Sequence, residues 1–137
     1  MCGLAGFSTN CKVGTNFLPT AINNLLHRGP DSNGVFETKN KKVGLAHTRL
    51  AIQDLSANGQ QPMSNEDSSI VIAFNGEIYN HIDIRNELIE KGHKFNGTSD
   101  TETLLRLYEN TRTNNEEFKN MLNKLNGIFA IAIFDEK

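Results

Sequence analysis

The chain has 137 residues, of which 37% are apolar and 22% charged, with a formal net charge of −2. That length suits one domain able to bury roughly two-thirds of its unfolded-chain surface, and the composition excludes a disordered chain. No basic face of the kind that binds nucleic acid is present, and the longest apolar run, Ile128 to Phe134, falls well short of the roughly 20 residues of a membrane span.

The opening segment, Met1-Cys2-Gly3-Leu4-Ala5-Gly6-Phe7, lacks a basic n-region and does not read as a signal peptide. A cytoplasmic, reducing setting is therefore expected, with Cys2 and Cys11 unpaired. Cys2–Ser8 is the first strand. A helix follows, with Pro19 in its first turn, Leu18, Ile22, Leu25 and Leu26 on one face, and Gly29 just beyond its end. Ser32–Thr38 and Lys42–Leu50 read as a hairpin around a solvated Lys39–Lys42 turn. Ser69–Asn75 is a continuous apolar run rich in β-branched residues, the mark of a buried strand.

Three further helix starts carry capping chemistry: Asn80 with Asp83, Ser99 with Glu102, and Asn114 with Glu117. The second helix has Leu104, Leu105 and Tyr108 on one stripe. The third has Phe118, Met121, Leu122 and Leu125 at helical spacing. Asn126-Gly127 then leads into the last strand, Ile128–Phe134. Strands and helices do not alternate regularly, so an α+β fold with largely antiparallel sheets is expected over a doubly wound one. The apolar strand so close to Lys137 suggests that the natural protein continues.

Four features could carry chemistry. Removal of Met1 would give Cys2 both a thiol and a free α-amine. Such groups ordinarily titrate at about 8.5 and about 7.7–8.0, so the amine can serve as base for the thiol. The competing reading of Cys2 is an ordinary small residue at a strand start. Asn75-Gly76-Glu77, following the buried strand, could offer an amide and a glycine N–H to an oxyanion, or could be a tight Asn-Gly turn. Arg49 could grip a carboxylate bidentately, or pair with one of the 16 acidic residues. Asp100, at the first helical position after Ser99, could hold an ammonium group. The helix dipole favours its ionised form by up to about 1 kcal/mol. Together these residues describe a site for an amino-acid amide. His27, His47, His81 and His93 show no metal-ligand spacing, so no metal is expected.

Six stretches, in order, then carry a resemblance: Met1–Phe7; His27-Arg28-Gly29-Pro30-Asp31; His47-Thr48-Arg49-Leu50-Ala51-Ile52-Gln53-Asp54; Phe74-Asn75-Gly76-Glu77-Ile78-Tyr79-Asn80; Gly97-Thr98-Ser99-Asp100-Thr101-Glu102; and Leu125-Asn126-Gly127-Ile128-Phe129-Ala130. They resemble the N-terminal glutaminase domain of glutamine-dependent asparagine synthetases, a class II glutamine amidotransferase of the N-terminal-nucleophile hydrolase fold. The resemblance covers nearly the whole chain and implies a four-layer α/β/β/α sandwich, two antiparallel sheets between helical layers, C-terminally incomplete here. Residues 1–137 would be the glutaminase domain of a longer synthetase.

By that resemblance Cys2 is the nucleophile, and Asn75 and Gly76 form the oxyanion hole. Arg49 binds the α-carboxylate of glutamine, helped by Leu50, Ile52 and Gln53. Glu77 and Asp100 meet the amino-acid head, Asp100 at the ammonium, while His27–Asp31 orders the surrounding loops. The implied reaction releases glutamate and ammonia through a Cys2 thioester and passes the ammonia to a synthetase domain or partner subunit. No glycine-rich phosphate loop is present. No cofactor is expected in this chain, and ATP and Mg would belong to the absent domain. Homo-oligomerisation stays open. Two alternatives stand beside this one: a different ammonia acceptor, such as a carboxylated sugar, or a non-catalytic module that keeps the fold.

Overall fold

A computed structural model describes the chain at all positions except Lys12, Thr15 and Thr113. In chain order the elements are β1 (Gly3–Ser8), α1 (Phe17–Leu25), β2 (Ser32–Glu37), β3 (Val43–Arg49), a 3₁₀ turn (Ala57–Gly59), β4 (Met63–Ser64), β5 (Ile70–Ile78), α2 (His81–Glu90), α3 (Asp100–Thr111), α4 (Asn115–Lys124) and β6 (Gly127–Asp135). They form two three-stranded sheets, in the orders β1-β3-β2 and β4-β5-β6. Every pairing is antiparallel.

Side-chain alternation along each strand builds the layers. On β3, Ala46 packs under α1 with Leu18 and Ile22, and Thr48 Oγ1 donates to Leu25 O at 3.0 Å. Leu45, on the opposite face, meets Val71 and Ala73 of β5. On β5, Val71 and Ala73 face the first sheet. Ile70, Ile72, Phe74 and Ile78 instead pack against Ile84 and Leu88 of α2, Leu104 and Leu105 of α3 and Met121 of α4. Strand β5 is thus covered on both faces, which is why its sequence is continuously apolar and does not alternate. The order of layers is α1, sheet, sheet, α2–α4, the expected four-layer sandwich.

Helix starts follow the capping chemistry in two of three places. Ser99 Oγ accepts from Glu102 N at 3.1 Å, and Asn114 Oδ1 accepts from Glu117 N at 2.9 Å. Asn80 does not cap α2. Its side chain instead ties the end of α4 to β6, donating to Lys124 O and accepting from Asn126 N. A long-range pair of bonds wins here over a local one. Helix α3 is also more enclosed than one apolar stripe predicts, for Asp100 to Leu107 are all buried. It lies between β5, α2 and α4.

Two glycines act differently from the expectation. Gly29 is not a left-handed helix stop. A Cβ there would sit 2.5 Å from Thr48 C, so it lets the chain after α1 lie against β3. Asn75-Gly76-Glu77 is neither a turn nor a strand end. β5 runs through it, paired Asn75 to Ala130, Gly76 to Phe129 and Glu77 to Ile128. A Cβ on Gly76 would meet Ile128 O, and Phe129 Cα at 2.6 Å.

Ile72, Leu104 and Ile70 have no exposure to solvent. Replacing Leu104 by Ala should lower the unfolding free energy by about 2–5 kcal/mol, read from the denaturant midpoint at constant m. A loss below about 1 kcal/mol would mean that the α3–β5 layer is not closely packed.

Candidate functional site

The strand pattern alone brings three of the proposed residues together. Gly3 pairs with Thr48, so the next step along the ladder sets Cys2 beside Arg49. Both lie in the alternation that faces the second sheet, as do Leu4 and Leu45. Asn75 follows Val71 and Ala73 on the facing side of β5. Cys2, Arg49 and Asn75 therefore converge at one end of the space between the sheets. A cavity of about 220 Å³ opens there, and Cys2, Arg49, Leu50, Ile52, Gln53, Asn75, Gly76, Glu77 and Asp100 all line it. It is smaller than the roughly 300–1,000 Å³ of pockets for drug-sized ligands and suits a small metabolite.

Cys2 is half-buried and Cys11 exposed, and both are free thiols. Cys2 Sγ accepts from Leu50 N at 3.4 Å and lies 3.7 Å from Leu50 O. Arg28 Nε donates to Cys2 O at 3.0 Å. Asp31 accepts from Ala51 N at 2.8 Å, and its own N–H donates to Arg49 O at 3.0 Å. The His27–Asp31 segment thus frames the thiol and the loop after β3.

The edge of β5 that faces the cavity is a row of backbone groups. Even-numbered residues turn their N–H and C=O away from β6, because odd ones such as Tyr79 bond towards it. Strand β4 covers only Val71 and Ile72 of this edge. Beyond it, Gln61 Oε1 accepts from Phe74 N at 2.6 Å and His47 Nε2 donates to Phe74 O at 3.0 Å. Asp100 Oδ2 accepts from Ile78 N at 3.1 Å. Gly76 lies between them, and among the described residues its N–H has no partner on this edge. The Asn75 carboxamide is likewise unfixed, with Oδ1 buried and unpartnered.

Arg49 is buried, and among the described residues it pairs with no acid. Nη1 donates to Ser56 O at 3.0 Å, and Nη2 donates to Asp54 O. A guanidinium has more donors than these two carbonyls consume, so N–H groups remain for a ligand in the cavity. Gly59 is close enough that a Cβ would strike Nη2. At the rim, Ile52 is exposed and Gln53 Nε2 donates to Glu77 Oε1 at 3.5 Å.

Asp100 departs from its expected electrostatics. It does occupy the first turn of α3, but burial pushes its carboxyl pKa above the ordinary value, against the lowering effect of the Ile78 N–H bond. Desolvation outweighs the backbone N–H bonds of Ile78 and Thr101 at this position. Asp54 shows the reverse. Its carboxylate accepts from Ser56 Oγ at 2.6 Å, Ser56 N at 2.8 Å and Thr98 N at 2.8 Å. Those bonds, the Ser56 hydroxyl first, hold its pKa down to about 2.

Three buried polar residues escaped the sequence reading as parts of the site: His47, Asp54 and Gln61. His47 shares a face of β3 with Arg49, and period-2 alternation would have found it. Gln61 bridges Phe74 N to Thr101 Oγ1 at 3.1 Å. Its side chain comes from an irregular loop with no periodic signal. Among the described residues no group of three or more His, Cys, Asp or Glu stands together as a metal site, and no helix is long and apolar enough to cross a membrane.

The fold is shared with solved amidotransferases. Glutamine phosphoribosylpyrophosphate amidotransferase from B. subtilis superposes with a TM-score of 0.81 at 20% identity, covering 99% of this chain and 35% of that one. A structure described as the allosteric regulatory enzyme of purine biosynthesis gives 0.80 at 21%, covering 99% and 36%. The fold is therefore that of the N-terminal-nucleophile amidotransferases. The chain belongs to the glutamine amidotransferase domain family, whose model matches residues 1–137. It is 45% identical over 112 residues to a glutamine-hydrolysing asparagine synthetase of Bacillus subtilis, covering 82% of this chain and 16% of that relative. It is 38% identical over 141 residues to a probable one of Dictyostelium discoideum, covering 100% and 24%. The chain thus spans less than a third of the length of these curated relatives.

His47 generates a pH prediction. It has no exposure to solvent. Nε2 must carry the hydrogen to bond a carbonyl, and Nδ1 is buried without a partner. Burial lowers its pKa from 6.5 to about 4. The unfolded chain binds this proton first as pH falls, so stability is full above 6.5 and declines towards 4. The cost is at most about 3 kcal/mol. His47→Asn keeps a neutral donor, and between pH 6.5 and 4 wild type should lose more unfolding free energy than this variant. Parallel pH profiles would show that His47 does not couple folding to protons in this range.

Proposed function

We propose that this chain hydrolyses the side-chain amide of glutamine to glutamate and ammonia through a thioester on Cys2. The observation that carries the proposal is the convergence of Cys2, the unpartnered Gly76 N–H, the unfixed Asn75 amide, Arg49 and Asp100 on one small cavity. Family membership supports the same reading. Removal of Met1 gives Cys2 a free α-amine, which takes the thiol proton. The thiolate attacks the amide carbon, and the carbonyl electron pair moves onto oxygen. Asn75 Nδ2 and Gly76 N–H donate to that oxyanion, each contributing roughly 3–4 kcal/mol in the transition state. As the adduct collapses, the C–N bond breaks, the amine's proton passes to the leaving nitrogen, and ammonia departs. Water then gives a proton to the amine and attacks the thioester. The C–S bond breaks, leaving glutamate and the free thiol.

The amino-acid head is held at the other end. The remaining Arg49 donors take the α-carboxylate, with the Leu50, Ile52 and Gln53 segment and Glu77 completing the rim. Asp100 takes the ammonium, whose charge offsets the burial that otherwise favours protonation.

We further read residues 1–137 as the glutaminase domain of a longer enzyme, in a cytoplasmic, reducing setting that keeps Cys2 a thiol. Its ammonia would pass to an ATP- and Mg-dependent synthetase domain, such as one forming asparagine from aspartate. The names of the relatives and the small share of their length that this chain spans support that reading.

Met1-processed protein incubated with glutamine should release glutamate, and Cys2→Ala should abolish the release. Folded wild type with a free Cys2 amine that yields no glutamate would overturn the proposal. Asn75→Ala should lower kcat by about 10²–10³ with little change in KM. A purely KM effect would instead place Asn75 in ground-state binding.

A further inference from the structure

We propose that Asp54 is a positioning residue that sets the separation between the carboxylate grip of Arg49 and the ammonium grip of Asp100. This rests on the glutaminase reading above. Asp54 sits where the two loops of the substrate head meet. Its backbone C=O accepts from Arg49 Nη2, and Ser56 O accepts from Nη1 at 3.0 Å. Its carboxylate ties Ser56 down through two bonds, so the carbonyls that seat the guanidinium are fixed by the same side chain. The other carboxylate oxygen accepts from Thr98 N at 2.8 Å. Thr98 leads directly into Ser99 and Asp100 at the start of α3.

The packing leaves little play between the loops. A Cβ on Gly97 would lie 2.5 Å from Asp54 Oδ2, and one on Gly59 would strike Arg49 Nη2 and lie 3.1 Å from Asp54 O. Asp54 is buried, and its two oxygens are committed to three donors. A carboxylate so placed makes charge-assisted bonds, the stronger kind. The reacting groups are mounted elsewhere, Cys2 before β1 and Asn75 and Gly76 within β5. Asp54 therefore governs recognition of the head and leaves the chemical step alone.

Asp54→Asn tests this. The amide can still accept from Ser56, but its NH₂ opposes Thr98 N–H, which releases the second loop. Three substrates are compared by steady-state kinetics: glutamine, its α-amide, which lacks the carboxylate, and its des-amino analogue, which lacks the ammonium. The variant should raise KM for glutamine about tenfold or more and keep kcat within about threefold. The preference for glutamine over both analogues should shrink together. Unchanged KM in folded variant, or a loss confined to kcat, would overturn the proposal. So would a shrinking preference against the α-amide alone, because Asp54 would then serve only Arg49. Should Asp54→Asn fail to fold, Ser56→Ala decides. It removes one O–H donor and should give the same pattern at smaller size, about threefold in KM, and an unchanged KM there would overturn the proposal. Wild type inactive towards glutamine would remove the glutaminase reading itself, a result distinct from any variant effect.

Discussion

The cavity-facing edge of β5, from Phe74 to Ile78, is the constraint on which the site depends. A strand edge carries unpaired donors and acceptors that must be met if they are buried. Here β4 stops covering the edge at Ile72, and side chains from three other elements take over. Gln61 and His47 occupy the two backbone groups of Phe74, and Asp100 occupies the N–H of Ile78. Among the described residues, the one N–H donor left between them is that of Gly76. The oxyanion donor proposed here needs no residue of special chemistry. It is what remains when the neighbouring N–H groups of a paired strand's edge have been bonded. Pairing with β6 along all nine residues fixes the register of the edge, and close packing against Phe129 explains why residue 76 has no side chain.

Burial and the number of donors that meet each group, more than formal charge, decide the electrostatics of this region. Two carboxylates enclosed within the same layers are driven in opposite directions. Asp54 meets three donors and is held ionised, whereas Asp100 meets too few to offset its desolvation and is driven towards its protonated form. His47, enclosed with one carbonyl and near Arg49, is kept neutral. A full bond inventory thus separates a carboxylate that shapes the protein from one available to a cation.

Much of the architecture was readable from the residues. The apolar run at 70–74, the 3.6-residue faces of α3 and α4, and the hairpin around Lys39–Lys42 follow from periodicity and composition, which local sequence reports directly. The errors have a common cause. Asn75-Gly76 reads as a turn because that pair favours one locally, and β6, distant in sequence, overrides it. Asn80 reads as a cap, and a partner on α4 claims its side chain. Gly29 reads as a helix stop, and its role is contact with β3. In each case the deciding partner lies far along the chain, where no short-range pattern can show it. The same holds for the site. Cys2, Arg49 and Asn75 could be proposed one at a time, whereas Gln61 and Asp54 gain meaning only from what they touch.

The site divides between two kinds of support. Cys2, Asn75 and Gly76 are mounted on or beside paired strands whose register is fixed by buried alternation on both sheets. A one-residue slip would turn Val71 and Ala73 out of the inter-sheet core, so the geometry of the proposed reacting groups is as secure as the core itself. The groups that would hold the amino-acid head come from the loop after β3 and the loop before α3. These segments have no ladder to brace them, and side-chain bonds do that work: Asp31 to Ala51, Asp54 to Ser56 and Thr98, and Glu102 to Asn96 and Gly97. In the proposed glutaminase, rigid strands would hold the chemistry and side-chain-braced loops the recognition, so that one could change without disturbing the other.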